Sequence, residues 1–261
     1  MAGSEGQGTK NYRMCGRYAI TTAPEALRRL FGYLEMPNFP PRYNIAPTQP
    51  IPIVRVMEGR RQFALVRWGL LPPWVKDPTT FTLLINARGE TVNDKPAFRN
   101  AMKRRRCLIP ADGFYEWKRD GAVKRPHYIH RKDGAPFAFA GLWETWMGPN
   151  GEEMETAAIV TTSANAVLAP IHDRMPVILP PDAYEIWLDT MNVDAKTAAA
   201  LIAPAQDELF ETYEIAPLVN RVANDGPEVQ APYTALPPEA AKAPAKKARP
   251  KPDDDRQSSL F

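Results

Sequence analysis

From Phe114 to Trp143 the chain reads FYEWKRDGAVKRPHYIHRKDGAPFAFAGLW. Three runs rich in aromatic and β-branched residues, Phe114–Lys118, His127–His130 and Phe137–Trp143, are separated by Asp120-Gly121 and Asp133-Gly134. Asp-Gly supplies the positive φ that a tight hairpin turn needs, so the stretch predicts successive antiparallel strands. Upstream, Ile51–Met57 and Gln62–Trp68 flank Glu58-Gly59 as a further hairpin, and Thr156–Thr162 and Met175–Leu179 add two strand candidates.

Helical patterning sits at the margins of this strand-rich centre. A helix is expected from Thr22, with Pro24 in its first turn and Leu27, Leu30, Phe31 and Leu34 on one face. Others are expected over Ala97–Arg105, Asp182–Leu188 and Asp194–Ala203, the last stopped by Pro204. Residues 37–50, PNFPPRYNIAPTQP, hold too many prolines for a helix and predict an extended loop. The fold class that follows is α+β: a largely antiparallel sheet or open barrel with peripheral helices.

The two ends differ in composition. Residues 1–13, MAGSEGQGTKNYR, are polar and glycine-rich and predict a disordered leader, removed or absent in the working protein. Beyond residue 231 alanine, proline and lysine alternate without an apolar face, which predicts a tail over 232–261. That leaves 14–231 for the domain. The tail carries six Lys/Arg and four Asp/Glu, so the remainder has 27 against 26 and is close to neutral. Total charge therefore makes no case for nucleic acid, and the placement of individual arginines must make it.

With two cysteines and three histidines, and no Cys-x-x-Cys pair, a zinc array and a disulfide framework are both excluded. No metal or cofactor is expected. The absence of a long apolar run predicts a soluble, cytoplasmic chain, with a monomer as the default.

Several residues carry chemistry. In Met14-Cys15-Gly16-Arg17-Tyr18, removal of Met14 would leave Cys15 with a free α-amine beside its thiol. Such a 1,2-aminothiol condenses with an aldehyde to an imine, which the thiol closes to a five-membered thiazolidine. At pH 7.4 roughly a quarter of an α-amine is neutral, against about one part in a thousand for a lysine. Read alone, Cys15 fits a buried structural cysteine better than a nucleophile. Glu116, between Tyr115 and Trp117, is either a desolvated proton-transfer group or the solvent-facing member of a strand.

His172, in a polar turn after the helical signal Ser163–Leu168, is an acid/base candidate or a surface histidine. Asn86, following an apolar run, offers an amide to a developing oxyanion. For DNA, Arg17, Arg42, Arg67, Arg88, Arg99, Arg174 and the run Lys103–Arg106 interleave with Trp68, Trp74 and Trp117. Phosphate neutralisation and base stacking would use those types, as would a core and a wet helix face.

Taken in order, MCGRY, RYNIAPTQ, WGLLPPW, INARGE, CLIPADGFYEW, TTSAN and HDRMPVIL resemble the motifs of the SRAP family (SOS-response-associated peptidases, abasic-site sensors), from Met14 to about Val222. The resemblance implies a protein of the DNA damage response that crosslinks to abasic sites in single-stranded DNA. It implies that Cys15 is the crosslinking residue, that Asn86 positions it, and that Glu116 and His172 are the acid/base pair. Arg17, Arg88 and Arg174 are implied as phosphate contacts, and Trp68 and Trp117 as DNA-facing aromatics. Self-cleavage that frees the cysteine amine is implied too.

Two departures stand out. Thirteen residues precede Met14 where the family's cysteine follows its initiator directly, and Gly89 replaces the usual Ala, a change expected to be harmless. Separately, Gln257-Ser258-Ser259-Leu260-Phe261 resembles the Gln-x-x-Leu-Phe peptide by which bacterial repair proteins dock on the replication sliding clamp. Two readings from other classes stay open beside this one: a cysteine peptidase acting on other proteins, and a non-covalent single-strand or clamp-binding module.

Overall fold

The structure, a computed structural model, describes residues 15–234. The expected leader, Met14, and most of the expected tail with Gln257, Leu260 and Phe261 lie outside the described residues.

The chain opens with strand β1 (Tyr18–Ile20), helix α1 (Pro24–Phe31) and strand β2 (Arg42–Ile45). A hairpin follows, β3 (Pro50–Met57) and β4 (Arg60–Trp68), then the short β5 (Asn86–Arg88) and helix α2 (Arg99–Arg104). The centre is β6 (Arg106–Ala111), β7 (Gly113–Asp120), β8 (Val123–Arg131), β9 (Phe137–Met147) and β10 (Glu153–Ser163). The last part holds β11 (Arg174–Pro176), β12 (Ile178–Leu179), α3 (Tyr184–Leu188), α4 (Ala195–Ala199) and β13 (Phe210–Glu214).

These strands form two sheets. One has the order β13-β8-β7-β1-β2 and is antiparallel throughout. In the other, β10-β4-β3-β6-β9 returns to β10 and closes a five-stranded barrel. The expected α+β class holds, with the barrel closed rather than open. Closure comes through β10, which is long enough to run parallel to β4 on one edge while pairing antiparallel with β9 on the other. Further along, β10 pairs with β5 and β11, so its Ser163 end carries Asn86–Arg88 on one side and Arg174 on the other.

A single apolar core runs between the two sheets. Tyr18 of β1 is completely buried and sets its ring edge-on to Trp68 of β4 at 5.4 Å and to Phe139 of β9 at 5.8 Å. On the outer face of the first sheet, Ala19, Tyr115 and Tyr128 are covered by Ile215, Val219 and Val229.

Where structure and sequence differ, the causes are local. Helix α1 stops at Phe31 because Gly32 takes φ 72° in the left-handed region, and Leu34 falls outside it, exposed. The proline-rich 37–50 stretch harbours β2, whose four residues fit between Pro41 and Pro47. The expected Ala97–Arg105 helix is cut to α2, since Arg106 already belongs to β6. Met175–Leu179 splits into β11 and β12, and Ser163–Leu168 holds no helix. No helix among the described residues is long and apolar enough to cross a membrane.

The segment 217–230 is strapped over the first sheet by Asn44, which is fully buried. Its amide nitrogen reaches the carbonyl oxygens of Val219 (3.1 Å), Arg221 (3.1 Å) and Asn224 (2.7 Å), and its oxygen accepts from Arg17 Nη1 at 2.8 Å. Asn44→Ala would strand these carbonyls and the guanidinium out of water, at about 2–4 kcal/mol. Urea denaturation should show that loss; a change within 0.5 kcal/mol would contradict the strap.

Candidate active site

The site begins with the register of β1 on β7. Tyr18 faces Phe114, and the Tyr115 N–H donates to the Arg17 carbonyl at 3.0 Å. One step further along the ladder sets Gly16 opposite Glu116, with Cys15 at the open end. Alternation puts Glu116 on the face of Phe114, turned toward the core, and only 4% of it is exposed.

Burial in these surroundings pushes the Glu116 carboxyl up from 4.5 to about 8. The main-chain N–H groups of Trp117 and of Cys15 partly offset that rise, and the charge of Asp173 adds to it. The nitrogen of Cys15 thus faces the carboxyl group. One oxygen, Oε1, is buried with no hydrogen-bond partner among the described residues.

The Cys15 thiol is itself buried, 1% exposed, and its nearest polar contact is the Arg17 carbonyl at 3.7 Å. Burial first, and Glu116 second, raise its pKa well above the ordinary thiol value. At neutral pH the sulfur is therefore an S–H, a weak nucleophile until a base takes its proton.

Asn86 reaches the same residue from the barrel. Its Nδ2 donates to the Cys15 carbonyl at 3.2 Å, and its buried Oδ1 has no partner. Strand β5 is held by parallel pairing of Asn86–Arg88 against Ile159–Thr161. Trp68 braces the approach to it: the indole is fully buried and donates Nε1–H to the Ile85 carbonyl at 3.0 Å. The expectation that Trp68 faces DNA is thereby corrected, because a ring with no exposed surface has no face to offer a base.

His172 lies in the turn before β11 with about a fifth of its side chain exposed. Its Nδ1 lies 3.0 Å from the Arg174 main-chain nitrogen, 3.3 Å from the Arg174 carbonyl oxygen and 3.2 Å from Asp173 Oδ1. Its neighbour Asp173 acts electrostatically on Glu116, which ties this turn to the Cys15 face.

The arginines divide. Arg17 is half-buried and committed: Nη1 bonds Asn44 and the Val219 carbonyl at 2.6 Å. Its fork anchors the 217–230 strap, which leaves it poorly placed as a phosphate contact. Arg174 is held by both oxygens of Glu90 and by the Thr161 carbonyl at 3.0 Å. Arg88 is exposed and makes no ion pair among the described residues. Trp117 is partly buried and donates Nε1–H to Asn220 Oδ1 at 2.8 Å. Trp74 is the aromatic that stands out, 57% exposed with its ring edge-on to Phe81.

The run Lys103–Arg106 is not one solvated face. Arg106 is buried and bonded to the carbonyls of Met102, Trp187, Asp189 and Val193, and Arg105 pairs with Glu144. An open groove of 590 Å³ beside Lys103, Arg104 and Trp143 contains none of the site residues. Two side chains that serve the site have no local sequence signal: Asp173, sensed at Glu116, and Glu90, which meets Arg174 across 84 residues. At Gly89 a methyl group would lie 2.3 Å from Ile202 Cγ2 and 3.1 Å from the Thr161 carbonyl, so the glycine fits this packing and Gly89→Ala would require Ile202 to move.

A buried carboxyl and an amide thus converge on one cysteine at the edge of a closed barrel, in a chain whose sequence matches the family described as SOS response associated peptidase (SRAP). The family model matches residues 14–222, and the chain belongs to that family. It is 40% identical over 220 residues to the abasic site processing protein YoqW of Bacillus subtilis, covering 83% of this chain and 98% of that one. It is 32% identical over 226 residues to YedK of Escherichia coli, another abasic site processing protein (83% and 98% covered). To HMCES of Xenopus tropicalis, named likewise, it is 30% identical over 263 residues (84% and 78%). Among solved structures, a protein from Bacteroides thetaiotaomicron superposes with a TM-score of 0.76 at 28% identity, covering 84% of this chain and all of that one.

The raised carboxyl makes stability depend on pH. Between the ordinary 4.5 and about 8 the folded protein keeps a proton that the unfolded chain has lost, so stability falls as pH rises through that window. Glu116→Gln should match the wild type in thermal melts at pH 5 and exceed it at pH 9, by on the order of a few kcal/mol. A constant gap across pH would contradict the burial of this group.

Proposed function

We propose that this protein joins itself covalently to abasic sites in single-stranded DNA, with the α-nitrogen and the sulfur of Cys15 both bonded to the aldehyde carbon of the opened sugar. The observation that carries the reading is the Cys15 nitrogen set against the buried Glu116 carboxyl, with Asn86 holding the Cys15 carbonyl. The names of YoqW, YedK and HMCES support abasic-site processing as the task.

The chemistry follows from the groups present. Once the Met14–Cys15 peptide bond is hydrolysed, the freed amine adds to the aldehyde to give a carbinolamine. Glu116, mostly protonated at neutral pH, donates to the departing hydroxyl, which leaves as water and gives the protonated imine, its nitrogen keeping its N–H. The resulting carboxylate then takes the proton of the Cys15 thiol. The thiolate attacks the carbon of the protonated imine, closing the thiazolidine with its N–H in place, and Glu116 is left protonated as it began. Aldehyde plus aminothiol thus becomes ring plus one water. His172 assists sugar opening and imine formation and reversal, and Arg88 and Arg174 hold flanking phosphates once Arg174 exchanges Glu90 for DNA.

Release of the amine is the self-processing step of the same cysteine, a peptidase activity turned on its own chain. The protein works in the DNA damage (SOS) response at the nucleoid, as a monomer. Its Gln257-Ser258-Ser259-Leu260-Phe261 end docks on the sliding clamp. A cysteine peptidase acting on other proteins fits less well, because such an enzyme must present its sulfur to an incoming polypeptide and this thiol is buried.

Chains beginning at Cys15 should shift a single-stranded oligonucleotide carrying one abasic site on a denaturing gel without borohydride. Cys15→Ala should abolish the band, and Glu116→Gln should slow it by on the order of a hundredfold. A band that persists in Cys15→Ala, or none from the wild type, would sink the reading. Deleting residues 257–261 should abolish clamp binding while sparing the crosslink; unchanged clamp affinity would dismiss the docking role.

A further inference from the structure

Glu116 has a neighbour that the scheme above does not use. On the first sheet Glu116 of β7 is paired with His127 of β8, and His127 with Glu214 of β13. Directly opposed residues of antiparallel strands project to the same face, about 4.5–5.5 Å apart at Cβ. The three side chains therefore form a row across the sheet, from the buried Glu116 to the Glu214 side chain, which is 29% exposed.

The imidazole in the middle is turned inward. His127 is only partly buried as a residue, yet both ring nitrogens are out of water and neither has a hydrogen-bond partner among the described residues. Glu116 Oε1 is in the same condition. A buried donor left unmade is costly, as is a buried acceptor, and here they sit on adjacent strands at the same register position. Burial lowers the His127 pKa, as do Lys118 of β7 and Arg125 of its own strand, while Glu214 works against them. Arg125 also pairs with Glu214 at 3.6 Å.

We propose that His127 is the proton relay of Glu116, carrying protons between that buried carboxyl and the surface carboxylate Glu214. A carboxyl group that acts in turn as acid and base must exchange protons with water, and Glu116 has almost no surface of its own. In the outward direction the Glu116 O–H passes its proton to one nitrogen of the neutral ring, leaving carboxylate and imidazolium. The imidazolium then gives up the proton on its other nitrogen to Glu214 or to water and is neutral again. Inward transfer runs the same steps in reverse. His127 touches neither sugar nor cysteine and acts through Glu116, so it is a positioning residue. The relay rests on the crosslinking reading above.

Two measurements on the full chain test it. In the first, crosslinking to an abasic oligonucleotide is timed across pH. His127→Ala should slow formation about tenfold near pH 7 with the final yield unchanged, and added imidazole, entering the space left by the ring, should restore the rate. His127→Gln, which can hydrogen-bond but not carry the proton, should be slow too. Wild-type rates and an unchanged pH profile in both variants would overturn the relay while leaving crosslinking intact. A wild type that forms no crosslink would instead remove the parent reading and the relay with it. In the second, the ring signals of His127 are followed by NMR, the chain having only three histidines. They should show a step near pH 8, where Glu116 ionises, and Glu116→Gln should erase it. A His127 signal with no such step, or one that survives Glu116→Gln, would overturn the pairing.

Discussion

A carboxyl group held out of water against a main-chain nitrogen is the constraint on which the rest of this structure turns. Glu116 could relax by reaching solvent, and the fold denies it that route. The β1–β7–β8 ladder fixes its strand on both sides, and the aromatic contacts of Tyr18 with Trp68 and Phe139 press that sheet onto the barrel. Barrel closure through β10 is what brings Asn86 to the Cys15 carbonyl, since β5 exists only as an addition to the free part of that strand. The cost of burying the carboxyl is met by the whole assembly rather than by a local partner.

The same burial orders the chemistry. In the proposed crosslinking a thiol whose pKa is raised does not lead the attack, and the freed nitrogen of Cys15 acts first and the sulfur second. An acid that titrates near neutral pH can give a proton in one step and take one in the next. The arginines fall into two groups by the same logic of satisfied and unsatisfied groups. Arg17 and Arg106 are spent on main-chain carbonyls, whereas Arg88 is exposed without an ion pair among the described residues.

Much of this was legible in the sequence, and the part that was not has a physical reason. Hairpin signals at Glu58-Gly59 and Asp120-Gly121 marked paired strands because turn chemistry is local, whereas the turn at Asp133-Gly134 makes no hairpin: β8 and β9 on either side of it belong to different sheets. Short strands β1, β2, β5 and β13 were not visible, because three to five residues hold no readable period and are fixed by the edge they join. Cys15, Asn86 and Glu116 were each ambiguous alone, and the sheet register brings them together. Trp68 misled, since an indole suited to stacking on a base is equally suited to a core, and only its burial and its bond to Ile85 distinguish the two. The pairing of Glu90 with Arg174 could not be anticipated, as nothing in either local stretch refers to the other.

The central claim is that two atoms of one residue, nitrogen and sulfur of Cys15, end on the same carbon. Carbon-13 NMR of the adduct made with an abasic site labelled at its aldehyde carbon tests this directly. The account predicts a single saturated carbon bonded to both nitrogen and sulfur, in a product lighter by one water than protein plus DNA. An unsaturated imine carbon, or a carbon bonded to sulfur and oxygen alone, would contradict it.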